Sequence, residues 1–231
     1  MGRTGKLAVA KPERKLYNTI EQRLTAVKKE VGANMIYLLR HGQTAQNKAR
    51  RLQGRSEHPL DETGEEQARA VGRWFEAHGI RFAAVYASPL QRAIRTAELA
   101  AGPAARVRVD GRLIEMDYGP YEGMNLMSPA PEVLAFFQDF THNPAPQGME
   151  PLEAVVARLG AFLEERREEA ERQDILVSTH AIAMKGALEY LTPRSRGSYW
   201  SKYIGNCAVY RAECADGSYG VPVELIWEER L

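Results

Sequence analysis

The sequence predicts an α/β fold, a three-layer α/β/α sandwich built around a mostly parallel central sheet. From Met35 onward, short apolar runs alternate with longer stretches of helical periodicity, the order of elements expected when helices cover both faces of a sheet. The chain has 231 residues, of which 44% are hydrophobic and 26% are charged. This size and composition suit one globular domain with a substantial core.

Short buried runs mark the strands of the predicted sheet. Met35 to Leu39 is the first of them, an uninterrupted apolar run of strand length. Later strands are expected at residues 83–87, 106–109, 175–177, 207–211 and 223–227. The sequence contains no internal repeat, which fits one sheet in one domain.

Capping signals and apolar spacing mark the helices. Thr63 and Glu66 form a capping-box pattern that predicts a helix over 64–78. The motif Ser-Pro-x-Gln at 88–91 combines an N-cap, a proline at the first helical position and a glutamine at N3. A helix is therefore predicted to start at Pro89. Further helices are expected at residues 132–140, 152–171 and 181–191.

Residues 1–33 form a basic extension ahead of a domain over 34–231. The extension has eight Lys and Arg residues against three Glu. Five apolar residues have the spacing of one helical face: Leu16, Ile20, Leu24, Val27 and Val31. We expect an amphipathic helix that docks on the domain or on a second copy, which would make the protein a homodimer. The alternative is an arm for a membrane or a nucleic acid.

Composition argues against several classes of partner and site. The 31 Lys and Arg residues against 30 Asp and Glu leave a net charge of +1, so no overall field attracts nucleic acid or a membrane. Cys207 and Cys214 are the only cysteines and lack the spacing of a zinc site, so no metal is expected. No apolar run reaches the roughly 18 residues of a membrane span, and we expect a cytoplasmic protein.

The candidate chemistry centres on two of the five histidines. His41 and His180 directly follow buried strands, where open α/β sheets bind their ligands. Arg40 precedes His41, and Arg92 lies at the start of a helix that follows a strand. Guanidinium groups and helix N-termini both bind phosphate oxygens. These residues together predict a phosphate-binding site at the carboxyl edge of the sheet.

A loop at 110–131 is too long to be a mere connector and contains Glu115. A carboxylic acid there could protonate a leaving alkoxide and later deprotonate water. Other nearby carboxylates compete for that role: Asp117, Glu122 and Glu150. Five further side chains either line a substrate pocket or anchor the loop: Tyr118, Tyr121, Met124, Asn125 and Met127.

The segment LLRHGQT at 38–44, followed by Asn47, resembles the defining motif of the histidine phosphatase superfamily, in the branch that includes the cofactor-dependent phosphoglycerate mutases. Further segments resemble that branch in the family's order: LQG at 52–54, SPLQRA at 88–93, LIE at 113–115 and STH at 178–180. The resemblance covers roughly residues 35–211, so it implies a histidine phosphatase domain within 34–231.

The resemblance implies a role for each matching residue. His41 would be the nucleophile, carrying the phosphoryl group as a phosphohistidine. Arg40, Arg92 and His180 would hold the phosphate oxygens. Glu115 would be the proton donor, and no cofactor would be required, because guanidinium groups neutralise the phosphoryl oxygens.

The edge of the site is less certain from the residues alone. The resemblance implies phosphate or substrate contacts for Asn47 and Gln53, but both could equally cap turns. The resemblance also assigns Ala181 to the phosphate or substrate contacts. Ala181 follows the second histidine, His180, at a position where the family often has a glycine. Lys185 stands where an arginine is common and Tyr121 where a tryptophan is frequent, so the pocket rim is expected to differ from the family's usual one.

Three functions are compatible with these residues. The first, which we favour, is a metal-independent phosphatase that hydrolyses small phosphorylated metabolites through a phosphohistidine. The second is a mutase, although the segment between Glu115 and His180 is short for that group. The third is a binding module with a degenerate site, in which the N-terminal helix supplies a partner surface.

Overall fold

The computed structural model describes residues 33–225. The amphipathic helix predicted within residues 1–33 and the end of the last predicted strand lie outside the described residues. The division into an extension and a domain therefore stays a prediction. Among the helices at residues 33–225, none is long and apolar enough to cross a membrane.

A seven-stranded sheet forms the centre of the described chain. Its strands are β1 (Asn34–Arg40), β2 (Ala84–Ala87), β3 (Val107–Val109), β4 (Ile175–Thr179), β5 (Val209–Ala215), β6 (Ser218–Tyr219) and β7 (Val223–Leu225). The order across the sheet is β3-β2-β4-β1-β5-β6, with β7 also paired to β5. Strands β3, β2, β4 and β1 are parallel, and β5 begins an antiparallel edge. The predicted mostly parallel sheet is confirmed.

Six α-helices accompany the sheet within residues 33–225. They are α1 (Ala45–Lys48), α2 (Glu62–Ala77), α3 (Gln91–Ala101), α4 (Pro131–Gln138), α5 (Leu152–Arg172) and α6 (Ala181–Leu191). Alternate residues of each strand face opposite sides of the sheet. Leu39 of β1 packs in one apolar core with Phe75 of α2, whereas Leu38 packs in the other core with Phe162 of α5. The three-layer sandwich is therefore confirmed.

The predicted start of α2 at a Thr63 cap is wrong. The helix begins at Glu62, and the cap is Asp61, whose side chain accepts a hydrogen bond from Gly64 N at 2.8 Å. The other Asp61 oxygen accepts from Gln43 Nε2 at 3.0 Å. This long-range contact fixes Asp61 at the helix end, so the helix starts before the capping-box pattern.

The predicted start of α3 at Pro89 is also wrong. The helix begins at Gln91, and its cap, Leu90, makes no side-chain hydrogen bond to the helix. The Ser88 hydroxyl lies instead 2.7 Å from His180 Nε2. The Ser88 hydroxyl thus contacts both the backbone N–H of Leu90, at 3.3 Å, and a distant histidine, rather than capping a helix that starts at Pro89.

Candidate active site

The carboxyl ends of three adjacent strands form the candidate site. Strand β4 lies between β1 and β2 and is parallel to both. His41 follows β1, His180 follows β4, and Ser88 follows β2. The His41 and His180 rings lie with their centres 5.1 Å apart. The sheet thus brings together the two histidines singled out from the sequence.

The His41 ring has one nitrogen committed to the protein. Its Nδ1 lies 2.7 Å from the carbonyl oxygen of Gly42. A carbonyl oxygen only accepts, so in this hydrogen bond Nδ1 carries the proton. In the neutral ring, Nε2 then holds the lone pair. Nε2 is therefore the ring nitrogen that this hydrogen bond leaves available.

The surroundings of His41 favour the neutral ring. The side chain is only 3% exposed. Burial, followed by the charges of Arg40 and Arg92, lowers the pKa of His41 well below its usual value. A histidine with this pKa is neutral at pH 7, which is the form that can attack phosphorus.

We expect the ring protons of His41 to titrate at a lower pH than those of a histidine in a flexible peptide, because burial and the charges of Arg40 and Arg92 lower its pKa. A histidine in a flexible peptide titrates with a pKa of about 6.5. The measurement is a ¹H–¹⁵N NMR titration of the histidine-labelled protein, with the His41 signal assigned by its loss in His41→Ala. A His41 midpoint near that of the peptide would contradict the electrostatic argument.

Backbone contacts hold His41 in place. Gly42 N donates to Thr96 Oγ1 at 3.1 Å, and His41 N donates to Thr179 O at 3.0 Å. A Cβ at Gly42 would lie 2.3 Å from the carbonyl oxygen of Gly64, so only glycine fits there. Asn206 Nδ2 donates to the carbonyl oxygen of His41 at 3.1 Å. Asn206 carries no local sequence signal, and sequence reasoning missed it.

Arg92 is fully buried, and backbone carbonyls fix its guanidinium. Nη1 donates to Ser56 O at 2.8 Å, and Nη2 donates to Gly54 O at 2.6 Å. Glu122 in turn accepts from Gly54 N at 2.8 Å and from the Ser56 hydroxyl. This carboxylate therefore holds the loop that orients Arg92. Burial lowers the pKa of Arg92, although the charges of Glu115 and Glu122 oppose this shift.

Four buried polar atoms of the candidate site residues have no hydrogen-bond partner in the described part of the chain: Arg40 Nε, Arg92 Nε, His180 Nδ1 and Gln53 Nε2. Buried polar atoms are normally paired. Arg40 and Arg92 also lower the pKa of His41 through their charges, which places both near its ring. An anion with several oxygen atoms fits this set of groups.

Asn47 and Gln53 differ in how they are used. Asn47 Oδ1 accepts from Thr44 N at 3.2 Å and from Asn206 Nδ2 at 3.1 Å, so it completes a capping box at the start of α1. Gln53 Oε1 accepts from Thr44 Oγ1 at 2.8 Å, and its amide nitrogen is the unpaired group. Asn47 therefore caps a helix, which is one of the two roles that the sequence left open for it. The side-chain amide of Gln53, by contrast, still has a hydrogen-bond donor without a partner in the described residues.

Glu115 is buried, with 3% exposure, and its carboxylate lies at the N-terminus of α6. Oε1 accepts from Met116 N and Ala183 N, both at 2.9 Å, while Oε2 accepts from Ile182 N at 3.2 Å. Oε2 takes the single, longer bond and so has more capacity to carry a proton. The amide of Ala181 is not used by this carboxylate.

Two of the carboxylates that compete with Glu115 for the role of acid form ion pairs with arginines. Asp117 and Glu150 both pair with Arg55, at 3.1 and 3.2 Å. Glu150 also pairs with Arg158 at 2.8 Å, and Arg158 Nη1 donates to the carbonyl oxygen of Ile114 at 2.5 Å. These ion pairs position the backbone beside Glu115 and leave that residue as the candidate acid.

The loop side chains are used mainly as anchors. The Met124 sulfur accepts a hydrogen bond from Ala130 N at 3.4 Å, Tyr121 Oη donates to Glu132 at 3.0 Å, and Met127 is 65% exposed. Tyr118 differs, since it is buried and its pKa is raised well above the usual value by burial and by Glu115. Tyr118 is thus the pocket-lining candidate among them.

The sequence matches the family described as the histidine phosphatase superfamily (branch 1) over residues 36–223. The chain belongs to this superfamily. It is 31% identical over 170 residues to phosphoserine phosphatase 1 of Hydrogenobacter thermophilus, covering 72% of this chain and 80% of the relative. It is 32% identical over 183 residues to a probable phosphoglycerate mutase of Erwinia tasmaniensis, covering 77% and 84%.

Solved structures of the superfamily share the fold. A mycobacterial glucosyl-3-phosphoglycerate phosphatase, solved in complex with VO3, superposes with a TM-score of 0.70 at 27% identity, covering 84% of this chain and 98% of that one. The relatives therefore include proteins named as phosphatases and as mutases. Membership in the superfamily supports an enzyme that acts on phosphate.

Lys185, where the resemblance leads one to expect an arginine, is buried in the structure. Its Nζ donates to the carbonyl oxygen of Trp200 at 2.6 Å and lies 5.0 Å from the centre of the Phe140 ring. Burial lowers the pKa of Lys185 to about 8, although the charge of Glu115 partly opposes this shift. The ammonium group is therefore costly to keep charged.

Replacing Lys185 with methionine is expected to remove a pH dependence of stability. Between pH 8 and the unfolded value of about 10.4, the unfolded chain holds a proton that the folded chain has lost, so wild-type stability rises with pH. Relative to Lys185→Met, the free energy of unfolding should rise by roughly 2–3 kcal/mol between pH 7.5 and 10.5. Urea unfolding of both proteins measures this; parallel curves would contradict the prediction.

Proposed function

We propose that this protein is a metal-independent phosphatase that hydrolyses small phosphomonoesters through a phosphohistidine at His41. The observation that carries the proposal is the His41 Nδ1 bond to the Gly42 carbonyl, which leaves Nε2 as the nucleophile. Beside that ring lie two arginines and His180, and three of their nitrogen atoms are buried without a partner in the part of the chain that the structure describes.

In the first step, His41 Nε2 attacks phosphorus and the bond to the ester oxygen breaks. The electron pair of that bond leaves with the oxygen, which takes a proton from Glu115. Arg40, Arg92 and His180 hold the remaining phosphoryl oxygens, where charge must be stabilised. The products are an alcohol and phosphorylated His41.

In the second step, water attacks the phosphohistidine. The Glu115 carboxylate takes a proton from the water, the P–N bond breaks, and its electron pair returns to His41 Nε2. Inorganic phosphate leaves, and the starting protonation state of Glu115 is restored. Catalysis thus needs alignment and fixed positive charge, which the guanidinium groups supply without a metal.

A mutase is the second candidate, supported by the Erwinia relative that is named a probable phosphoglycerate mutase. A mutase must keep its phosphohistidine from water and return the group to a bound acceptor. The short segment between Glu115 and His180 favours hydrolysis, since it leaves little chain to close over the site.

The test is phosphate release from a panel of phosphomonoesters in EDTA, run beside interconversion of 2- and 3-phosphoglycerate. The panel includes phosphoserine, sugar phosphates and an aryl phosphate. We expect EDTA-resistant release of phosphate from at least one of them. Isomerisation of phosphoglycerate without net release would favour the mutase, and a folded protein without either activity would overturn both.

A further inference from the structure

The side chain of Ser88 is placed against the second histidine of the site. Strands β2 and β4 pair so that Ala87 lies beside Ser178, and Ser88 N donates to Ser178 O at 3.0 Å. This register brings the Ser88 hydroxyl to 2.7 Å from His180 Nε2. Both residues are fully buried, so no solvent competes for this hydrogen bond.

The direction of this hydrogen bond follows from the other contacts of the hydroxyl. Ser88 Oγ already accepts from Leu90 N at 3.3 Å. Within residues 33–225, its other partner is His180 Nε2, so that nitrogen is the acceptor available to the hydroxyl proton. If the imidazole donated instead, the serine proton would be buried without an acceptor, which is costly. Ser88 therefore donates to Nε2.

A neutral imidazole that accepts at Nε2 carries its one proton on Nδ1. His180 is neutral at pH 7, because burial and the charges of Arg92 and Arg40 lower its pKa well below the usual value. Nδ1 is the ring atom that is buried without a partner among residues 33–225. The proton thus sits on the nitrogen that is left for a ligand.

We propose that Ser88 is a positioning residue that selects the Nδ1–H tautomer of His180 and so gives the phosphate site one of its donors. With the opposite tautomer, His180 would turn a lone pair toward the phosphate oxygens and repel them. The role rests on the proposed function, because it assumes that the anion held beside His41 is a phosphoryl group.

The tautomer is tested by long-range ¹H–¹⁵N NMR of histidine-labelled protein, with His180 assigned by its loss in His180→Asn. In the wild type we expect a protonated Nδ1 and an unprotonated Nε2. Ser88→Thr, which keeps the hydroxyl, should preserve this pattern, whereas Ser88→Ala should show a protonated Nε2 or a mixture. An Nε2–H tautomer in the wild type would overturn the inference, whether or not the Ser88 variants fold.

A binding measurement separates this role from simple support of the fold. Calorimetric titration with inorganic phosphate should show a Kd about 10-fold to 100-fold higher for Ser88→Ala than for the wild type, the loss expected for one hydrogen bond to a charged group. Ser88→Thr should bind as the wild type does. Equal affinity of folded Ser88→Ala would contradict the proposal.

The two readouts distinguish the inference from the proposed function. The tautomer is measured on the resting protein and the affinity with inorganic phosphate, so neither depends on turnover. If the wild type hydrolyses no ester but shows the Nδ1–H tautomer and the Ser88-dependent affinity, the inference holds and the phosphatase fails. If hydrolysis depends on His41 while the tautomer is unaffected in Ser88→Ala, the phosphatase holds and the inference fails.

Discussion

Replacement of His41 with alanine is expected to lower kcat/KM for any phosphomonoester substrate by at least roughly four orders of magnitude. The side chain supplies the atom that forms the bond to phosphorus. The other imidazole of the site, His180, offers no free lone pair in its place, because the Ser88 hydroxyl occupies Nε2 and the ring proton is then on Nδ1. Steady-state assays of both proteins with the same substrate measure the loss.

The matched control is His78→Ala. His78 is exposed at the end of α2, where its ring stacks on Trp74. Its removal should leave kcat/KM within about twofold of the wild type, since it lies outside the site. Retained turnover in a folded His41→Ala protein would show that another group attacks phosphorus.

Replacement of Glu115 with glutamine is expected to lower kcat for alkyl phosphates by about 10²- to 10⁴-fold, the usual contribution of a general acid. An amide cannot give a proton to the leaving alkoxide. Dinitrophenoxide is a weak base that leaves without a proton, so dinitrophenyl phosphate should still phosphorylate His41 in the variant. Quench-flow assays with both ester types measure this difference.

A second effect of Glu115→Gln separates acid from base catalysis. Glu115 must also take a proton from water in the second step, so the variant should accumulate phosphohistidine with dinitrophenyl phosphate. Glu153→Gln, an exposed change in the first turn of α5, is the control and should behave as the wild type. Equal losses for alkyl and dinitrophenyl esters, without accumulation, would contradict the assigned role.

The sequence predicted those parts of the fold and site that depend on local pattern. Apolar runs placed β1, β2 and β4, and the rule that ligands lie at the carboxyl ends of parallel strands brought His41 and His180 to one edge. The family resemblance, rather than any local signal, singled out Glu115. Its contacts with the amides of α6 join residues 67 and 68 positions apart, which no periodicity reports.

The errors have a common physical cause. Local motifs list the hydrogen bonds that a side chain could make, whereas tertiary contacts decide which ones it does make. The Ser88 hydroxyl fits an N-cap pattern, but the pairing of β2 with β4 also places it in hydrogen-bond contact with a histidine 92 positions away. Asn206 similarly reaches His41 across 165 positions. Neither contact can be found from local sequence patterns, because each joins residues that only the folded chain brings together.

The most direct test of the central claim is to identify the phosphorylated residue. The wild type and Glu115→Gln are mixed with dinitrophenyl phosphate, quenched in alkali within milliseconds, digested and mapped by mass spectrometry. Since Nδ1 of His41 is held by Gly42, we predict an acid-labile, alkali-stable phosphoryl group on His41 Nε2. Phosphate on another residue, or turnover that never yields phosphorylated His41 in either protein, would contradict the mechanism.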